Sequence, residues 1–571
     1  MRQLLLLGAM WLAAWSATGQ IADHTHLVHL SDKTWGKDYP FSLDAPELFL
    51  SERAVARRTR QGIEVDSLDL PVSADVVQGL HALADWEVVH ASKWMSSVTV
   101  VARDSTADLD ALTALPFVAD VKRLHPLRSH LRLDLNDKPH PASKDLLPST
   151  AYGEGWTALG QLNASSLHAL GFDGRGMWIA VMDAGFEGVL DLEAFESLRT
   201  SGRVVAPENA NVAYGGNDVF GHHRHGASVL GTMGCMWEDS LIGTAPGATY
   251  FCYITEDVTQ ERLLEEEHWI VAAEHADSLG VDLINTSLGY SMFDDSTSNH
   301  AVEELDGHTA RISVASGIAA SKGMLVVTSA GNNGDDPWRA ITFPADAHGI
   351  LSVGAVRANG NHGWFSGFGP SQDGRVKPEV MALGVSTPYP RFDGRVGRGN
   401  GTSFASPILC GAAASLWQAH PSATAQQVRL AILESAHLYS MPNDSMGHGI
   451  PDMWKAHLWL TDQGQGSSGS NGANVVVFPN PVSPHGTLRW TLVGVAEGLA
   501  EGTESLVWTL TGPSGKAVAE GTLPVWPGDD LHGHLDLRSL NLSSGTYLLT
   551  LSSEDATWRA SAPCMVVTPA P

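Results

Sequence analysis

The chain has 571 residues, 43% of them apolar and 17% charged, enough for roughly three to four domains and far from a disordered composition. Its 35 Lys and Arg stand against 63 Asp and Glu, a net charge of −28, and a surface of that sign repels phosphate backbones and argues against a nucleic-acid partner. Four cysteines with no CxxC pair exclude a disulfide scaffold and a structural zinc module.

In chain order, residues 1–19 read as a secretory signal: Arg2, an apolar run from Leu4 to Trp15, then the small residues Ala17, Thr18 and Gly19. The run is shorter than the about 18 apolar residues of a membrane span, and no later run reaches that length. The expectation is export, into the medium or onto the outer cell surface, with no transmembrane helix. Residues 20–126 mix both element types. Ser51–Arg58 reads as a basic helix and Ala74–Ala84 as an amphipathic helix with Ser73 as its N-cap. Trp86–Val89 and Ser97–Val101 read as strands, Asp108–Ala114 as a helix and Phe117–Val121 as a closing strand. Together they predict a small α+β domain. Residues 127–151 are polar and contain proline, as in a linker or processing region.

Over 152–460 short buried runs recur at Met177–Met182, Val281–Asn285, Met324–Val327 and Ile350–Val353, with helical segments at Glu261–Leu279 and Ala310–Lys322 between them. That alternation predicts an α/β domain: a doubly wound, mostly parallel sheet covered on both faces, with its site beyond the carboxyl ends of the strands. Residues 461–474 form a Gly/Ser-rich linker. In 475–571, Val475–Phe478, Leu506–Leu510 and Tyr547–Leu551 are strand-like runs separated by turn dipeptides, a β-sandwich pattern.

Three polar residues of the large domain stand at element ends. Asp183 closes the first strand, His225 opens a helical run of small residues, and Ser403 lies in Gly401-Thr402-Ser403-Phe404-Ala405-Ser406-Pro407, ahead of an apolar helix through Trp417. A serine hydroxyl needs an imidazole to take its proton, and the imidazole needs a carboxylate to orient it. A helix N-terminus behind Ser403 supplies N–H donors where an oxyanion would form. Pro407 is expected in the first turn, where a missing N–H costs little. Other readings start from the same residues. His222, His223 and His225 are a cluster of metal-ligand types, although no HExxH helix accompanies them. A non-catalytic adhesin could also keep the fold. Spacing leaves a Cys235–Cys252 disulfide open, while Cys410, inside the apolar run, reads as a core thiol.

The order Asp, His, Ser is the subtilisin order among the known triad arrangements, and residues 152–456 resemble a subtilisin-like serine peptidase. The resemblance extends through Gly243–Ala248, Asn285–Gly289, Ser329–Gly334, Phe343–Ala345, Phe365–Pro370 and Lys377–Val380. It implies a serine endopeptidase acting on proteins and peptides through an acyl-enzyme on Ser403, with His225 as general base and acid and Asp183 as its orienting carboxylate. It also implies Asn332 as an oxyanion donor and Ser287, Leu288, Gly289, Ala330 and Gly331 as walls of the substrate cleft. Two departures stand out: Ala184 where the family usually has Thr or Ser, and Leu383 where it commonly has Pro. The chemistry requires no cofactor. Structural Ca²⁺, known in many subtilases, is an option for acidic loops such as Phe293-Asp294-Asp295 or Gly334-Asp335-Asp336, which also read as solvated turns.

Residues 20–126 resemble the inhibitory propeptide of secreted subtilases, on Leu50–Ala54 and Ser92-Lys93-Trp94, which makes the chain's own propeptide a partner. Residues 475–571 resemble a type IX secretion sorting domain, on Val477–Pro481 and Leu542–Tyr547, which makes secretion machinery another. Asn333 stands where an acidic residue would favour basic side chains, so the residue before the cleaved bond is expected to be apolar or aromatic.

Overall fold

The computed structural model describes residues 25–103, 106–124 and 152–464, and in the C-terminal region 474–478, 487–493, 505–511, 516–524, 532–540, 542, 545–553 and 559–566. The signal segment 1–19, the processing region 127–151 and the Gly/Ser stretch 465–473 lie outside the described residues.

The N-terminal unit is a four-stranded antiparallel sheet in the order Trp86–Ser92, Ser97–Ala102, Thr25–Leu30, Val118–Leu124. Sequence reading found every strand except Thr25–Leu30, which pairs on both sides and holds the sheet together. Three helices accompany it, each with the cap its sequence offers. Ser51 Oγ accepts from Ala54 N at 3.1 Å ahead of Glu52–Gln61, and Ser73 Oγ from Asp75 N at 3.2 Å ahead of Ala74–His81. Asp108 Oδ1 accepts from Asp110 N at 2.9 Å ahead of Leu109–Thr113.

The large domain carries a seven-stranded sheet, parallel throughout: Val380–Leu383, Leu351–Val356, Leu325–Ser329, Leu283–Thr286, Trp178–Asp183, Thr249–Ile254, Val204–Val205. After Trp178–Asp183 the chain builds one side of the sheet, then returns to build the other from Leu283–Thr286. The switch point therefore lies between these two central strands, where the crevice of an open α/β sheet forms. The strands Thr249–Ile254 and Val380–Leu383 were not expected from sequence. Helices His225–Gly234 and Thr402–Ala419 pack together on one face, Leu264–Leu279 and Arg311–Ser321 on the other. Helix Thr402–Ala419 is buried from Thr402 through Trp417, as a helix that is apolar all round must be.

Pro407 is not in the first turn of that helix. It is the sixth helical residue, so it deletes the N–H that would have bonded the carbonyl of Ser403, four residues back. Helix Met453–Gly464 likewise runs past the expected linker boundary at 461. The C-terminal strands form one three-stranded and one four-stranded antiparallel sheet. Cys235, Cys252 and Cys410 are buried free thiols, so the optional Cys235–Cys252 disulfide is not formed.

The N-terminal unit docks on helix Leu264–Leu279. Arg57 and Arg58, expected simply as part of a basic helix, are buried against Asp277; Arg58 reaches it at 2.8 Å and Asp69 at 2.6 Å. Lys322 bonds Asp66 and Asp69 at 2.8 and 2.9 Å. Glu274 accepts the backbone N–H groups of Lys93 and Trp94 at 2.9 and 3.0 Å, and Trp94, 3% exposed, joins the core of the large domain. Charges this deeply buried persist only when paired, and Arg57, Arg58 and Lys322 each have a buried carboxylate partner here.

Candidate active site

Asp183, the last residue of its strand, sits at the carboxyl end of the sheet beside the switch point and is 1% exposed. His225 opens helix His225–Gly234, and its Nδ1 lies 2.7 Å from Asp183 Oδ1. Nδ1–H therefore donates to the carboxylate and Nε2 is left as the basic nitrogen. Burial pulls the imidazole's pKa down, but the charge and hydrogen bond of Asp183, with a further contribution from Glu256, raise it above the ordinary value. Asp183 Oδ1 also accepts from Ala184 N at 2.7 Å, whereas Oδ2 is buried with no partner among the described residues.

Ser403 is the second residue of helix Thr402–Ala419 and is 8% exposed. Asn332 comes to it from the segment after strand Leu325–Ser329. The amide oxygen of Asn332 accepts from Thr402 N at 2.8 Å and Thr402 Oγ1 at 2.9 Å, which fixes the amide so that Nδ2 is the free donor. A β-carbon placed on Gly401 would fall 2.6 Å from Ser403 Oγ and 3.6 Å from both Asn332 Nδ2 and Ser403 N. The hydroxyl and the two N–H donors thus surround one small space, kept open by a glycine.

The carbonyl orphaned by Pro407 is taken up. Ser287 Oγ donates to Ser403 O at 3.0 Å, Asn285 Nδ2 donates to Ser287 Oγ at 2.9 Å, and Ser406 Oγ donates to Asn285 Oδ1 at 2.9 Å. This closed loop of buried side chains ties Ser287-Leu288-Gly289 to the helix that carries Ser403. Ala330 and Gly331 lead into Asn332, and Ser329 Oγ donates to Leu288 O at 2.9 Å, linking the two segments. All nine residues singled out by sequence therefore gather at one end of the sheet. Sequence reading missed Thr402, Asn285 and Ser406, which act on other residues; each lies within three residues of a named one. It also missed Glu256, whose carboxyl is pushed up to about 7, by burial first and by Asp183 among its neighbours, against hydrogen bonds from Tyr290 and Thr255.

The neighbouring histidines have partners of their own. His222 stacks on Tyr214 at 4.7 Å and its Nε2 meets Asn211 Nδ2 at 3.0 Å; His223 Nδ1 accepts from His225 N at 3.3 Å. Among the described residues, no group of three His, Cys, Asp or Glu side chains is placed to hold a metal ion. Asp295 caps Thr297 and Asp336 accepts from Trp338 N, so these loop carboxylates serve their own turns. Among the described residues, no helix is long and apolar enough to cross a membrane.

A parallel α/β sheet with an Asp–His pair at its switch point and a helix-borne serine beside an amide donor is the layout of a serine hydrolase. Residues 174–449 match the Subtilase family and residues 25–139 the Peptidase S8 propeptide domain of Bacteroidota. The chain is 30% identical over 296 residues to subtilisin NAT of Bacillus subtilis subsp. natto, covering 51% of this chain and 68% of that one. It is equally similar to subtilisin of Bacillus pumilus, there covering 94% of the relative. A solved protease of Pseudoalteromonas arctica is 20% identical with a TM-score of 0.41, over 55% of this chain and all of that one. The chain belongs to the subtilase family. It is a subtilisin-like serine endopeptidase that hydrolyses peptide bonds and carries a propeptide domain at its N-terminal side.

Proposed function

We propose that Ser403 is the nucleophile, His225 the general base and acid, Asp183 the carboxylate that orients it, and Asn332 with the Ser403 N–H the oxyanion donors. The observation that carries this reading is the 2.7 Å Asp183–His225 bond at the same sheet end as Ser403 and the fixed Asn332 amide. Ser403 Oγ attacks the substrate carbonyl carbon while its proton passes to His225 Nε2, and the carbonyl oxygen gains charge facing the two donors. The C–N bond then breaks as Nε2 returns the proton to the leaving amine, leaving an ester on Ser403. Water attacks that ester, again giving its proton to Nε2. The ester C–O bond breaks, Oγ recovers the proton, and the carboxylic acid departs. Substrate backbone lies between Ser287-Leu288-Gly289 and Ala330-Gly331.

The reading extends beyond catalysis. Residues 20–126 would inhibit the peptidase until removed, the protein is exported, and the region 475–571 is a sorting domain that secretion machinery recognises. No cofactor enters the chemistry. The test is kinetic. Ser403→Ala should lower kcat about 10⁶-fold, and Asn332→Leu, which leaves one oxyanion donor, about 10²–10³-fold with KM little changed. Turnover by Ser403→Ala above about a tenth of wild type would remove Ser403 from the mechanism.

A further inference from the structure

We infer that Thr342 closes the slot that receives the side chain before the scissile bond, so that this peptidase cleaves after small residues (glycine, alanine, serine) and not after aromatic or long aliphatic ones. The inference rests on the reading of Ser287-Leu288-Gly289 and Ala330-Gly331-Asn332 as the two walls of that slot.

Residues 342 and 343 cross-tie the walls at their base. Thr342 N donates to Ala330 O at 3.2 Å on one side, and Phe343 and Tyr290 exchange both backbone bonds, at 3.0 and 2.9 Å, on the other. Between these ties the Thr342 side chain stands in the gap. Each wall carries a glycine where it faces Thr342. A β-carbon on Gly331 would come within 2.6 Å of Thr342 Oγ1, and one on Gly289 closer still. Gly289 is exposed whereas Gly331 and Thr342 are buried, Thr342 at 2% exposure. The gap therefore opens to solvent above and ends at Thr342.

The second observation is chemical. Thr342 Oγ1 is buried and has no hydrogen-bond partner among the described residues. An orphaned buried hydroxyl is a cost that valine, of the same shape, would avoid. It makes no bond that would explain its retention, and what it contributes at this point is bulk. A methyl group entering between the two backbone walls stops short of it. A phenyl ring or leucyl chain would have to displace a side chain whose backbone is held from both sides, and packed interiors yield little. This departs from the apolar or aromatic preference expected from sequence, because the slot as built excludes aromatic and long aliphatic side chains.

The test uses the full-length chain after maturation, with a fluorophosphonate probe to count reactive serines and peptides differing only in the residue before the bond. Wild type should cleave after alanine about 100-fold more efficiently than after phenylalanine, by kcat/KM per labelled site. Thr342→Gly should raise phenylalanine cleavage at least about tenfold with alanine little changed. Thr342→Val should keep the wild-type profile and melt higher, which separates bulk from hydrogen bonding. Equal cleavage after alanine and phenylalanine by wild type, or an unchanged ratio in Thr342→Gly, overturns the inference. If Thr342→Gly yields no labelled sites, Thr342→Ala decides the same ratio. Labelling of wild type without cleavage after alanine refutes the slot alone; absence of labelling refutes the nucleophile and the slot together.

Discussion

Lowering the pH should loosen the N-terminal domain from the peptidase domain, and His90 contributes a defined part of the effect. His90 lies on the strand Trp86–Ser92 and meets His268 of helix Leu264–Leu279 edge to face, with ring centroids 5.1 Å apart. Its Nε2 is shielded and has no partner among the described residues. Burial pushes its pKa from 6.5 to about 4, and burial with the neighbouring His90 also drives His268 well down. The undocked state therefore binds more protons. Docking is at full strength above about pH 6.5 and weakens as the pH falls toward 4. For His90 alone the two values imply about a tenfold weaker complex at pH 5.5 and a ceiling of about 300-fold. Two interface carboxyls bear on the result. Asp277, which burial would raise, is held below its ordinary value by Arg57, Lys93 and Arg58 and stays charged in this range. Glu274, raised by burial, takes up its proton more readily when docked and so opposes the loss. The assay is calorimetric binding of the separately produced domain to Ser403→Ala peptidase at pH 7.5 and 5.5. His90→Gln should remove about tenfold of the pH dependence. A His90→Gln domain whose affinity changes with pH as much as wild type would refute the reasoning.

Two further predictions concern other parts of the chain. Ser287→Ala leaves the Ser403 carbonyl without a donor, which should cost about 1–3 kcal/mol and lower kcat by about tenfold; adding Pro407→Ala restores a helical N–H and should recover part of the loss, and a Ser287→Ala enzyme of wild-type kcat and melting temperature would dismiss the tether. Deleting 475–571 should leave a folded, active peptidase that accumulates before the last export step, measured by fractionation and activity, whereas normal surface delivery of the truncated chain would count against a sorting role.

The placement of the candidate site was largely legible because the side chains brought together there stand at element ends, where sequence signals are sharp. Asp183 closes an apolar strand, His225 and Ser403 open runs of small residues, and Asn332 lies in a Gly-rich turn. What escaped was relational. Thr402 and Asn285 look like ordinary polar residues until their partners, 70 and 121 residues away, are brought to them. Pro407 read as harmless, although the helix begins early enough for it to orphan the carbonyl of Ser403 itself.

By itself the sequence determined the layering of the large domain, the order of its chemical groups and the presence of a separate N-terminal α+β unit. Hydrophobic periodicity and turn residues are local properties, and each segment carries enough of them. It left Thr25–Leu30 unread, because His26 and His29 break its apolar run and leave too little local pattern to mark a strand. Only the tertiary structure decided that Arg57 and Arg58 are buried against Asp277 across a domain interface, and that Thr342 stands between two glycines it never approaches in sequence. Charge pairing and steric exclusion act over a few ångströms in space, between residues the chain places tens to hundreds of positions apart, so no local pattern encodes them.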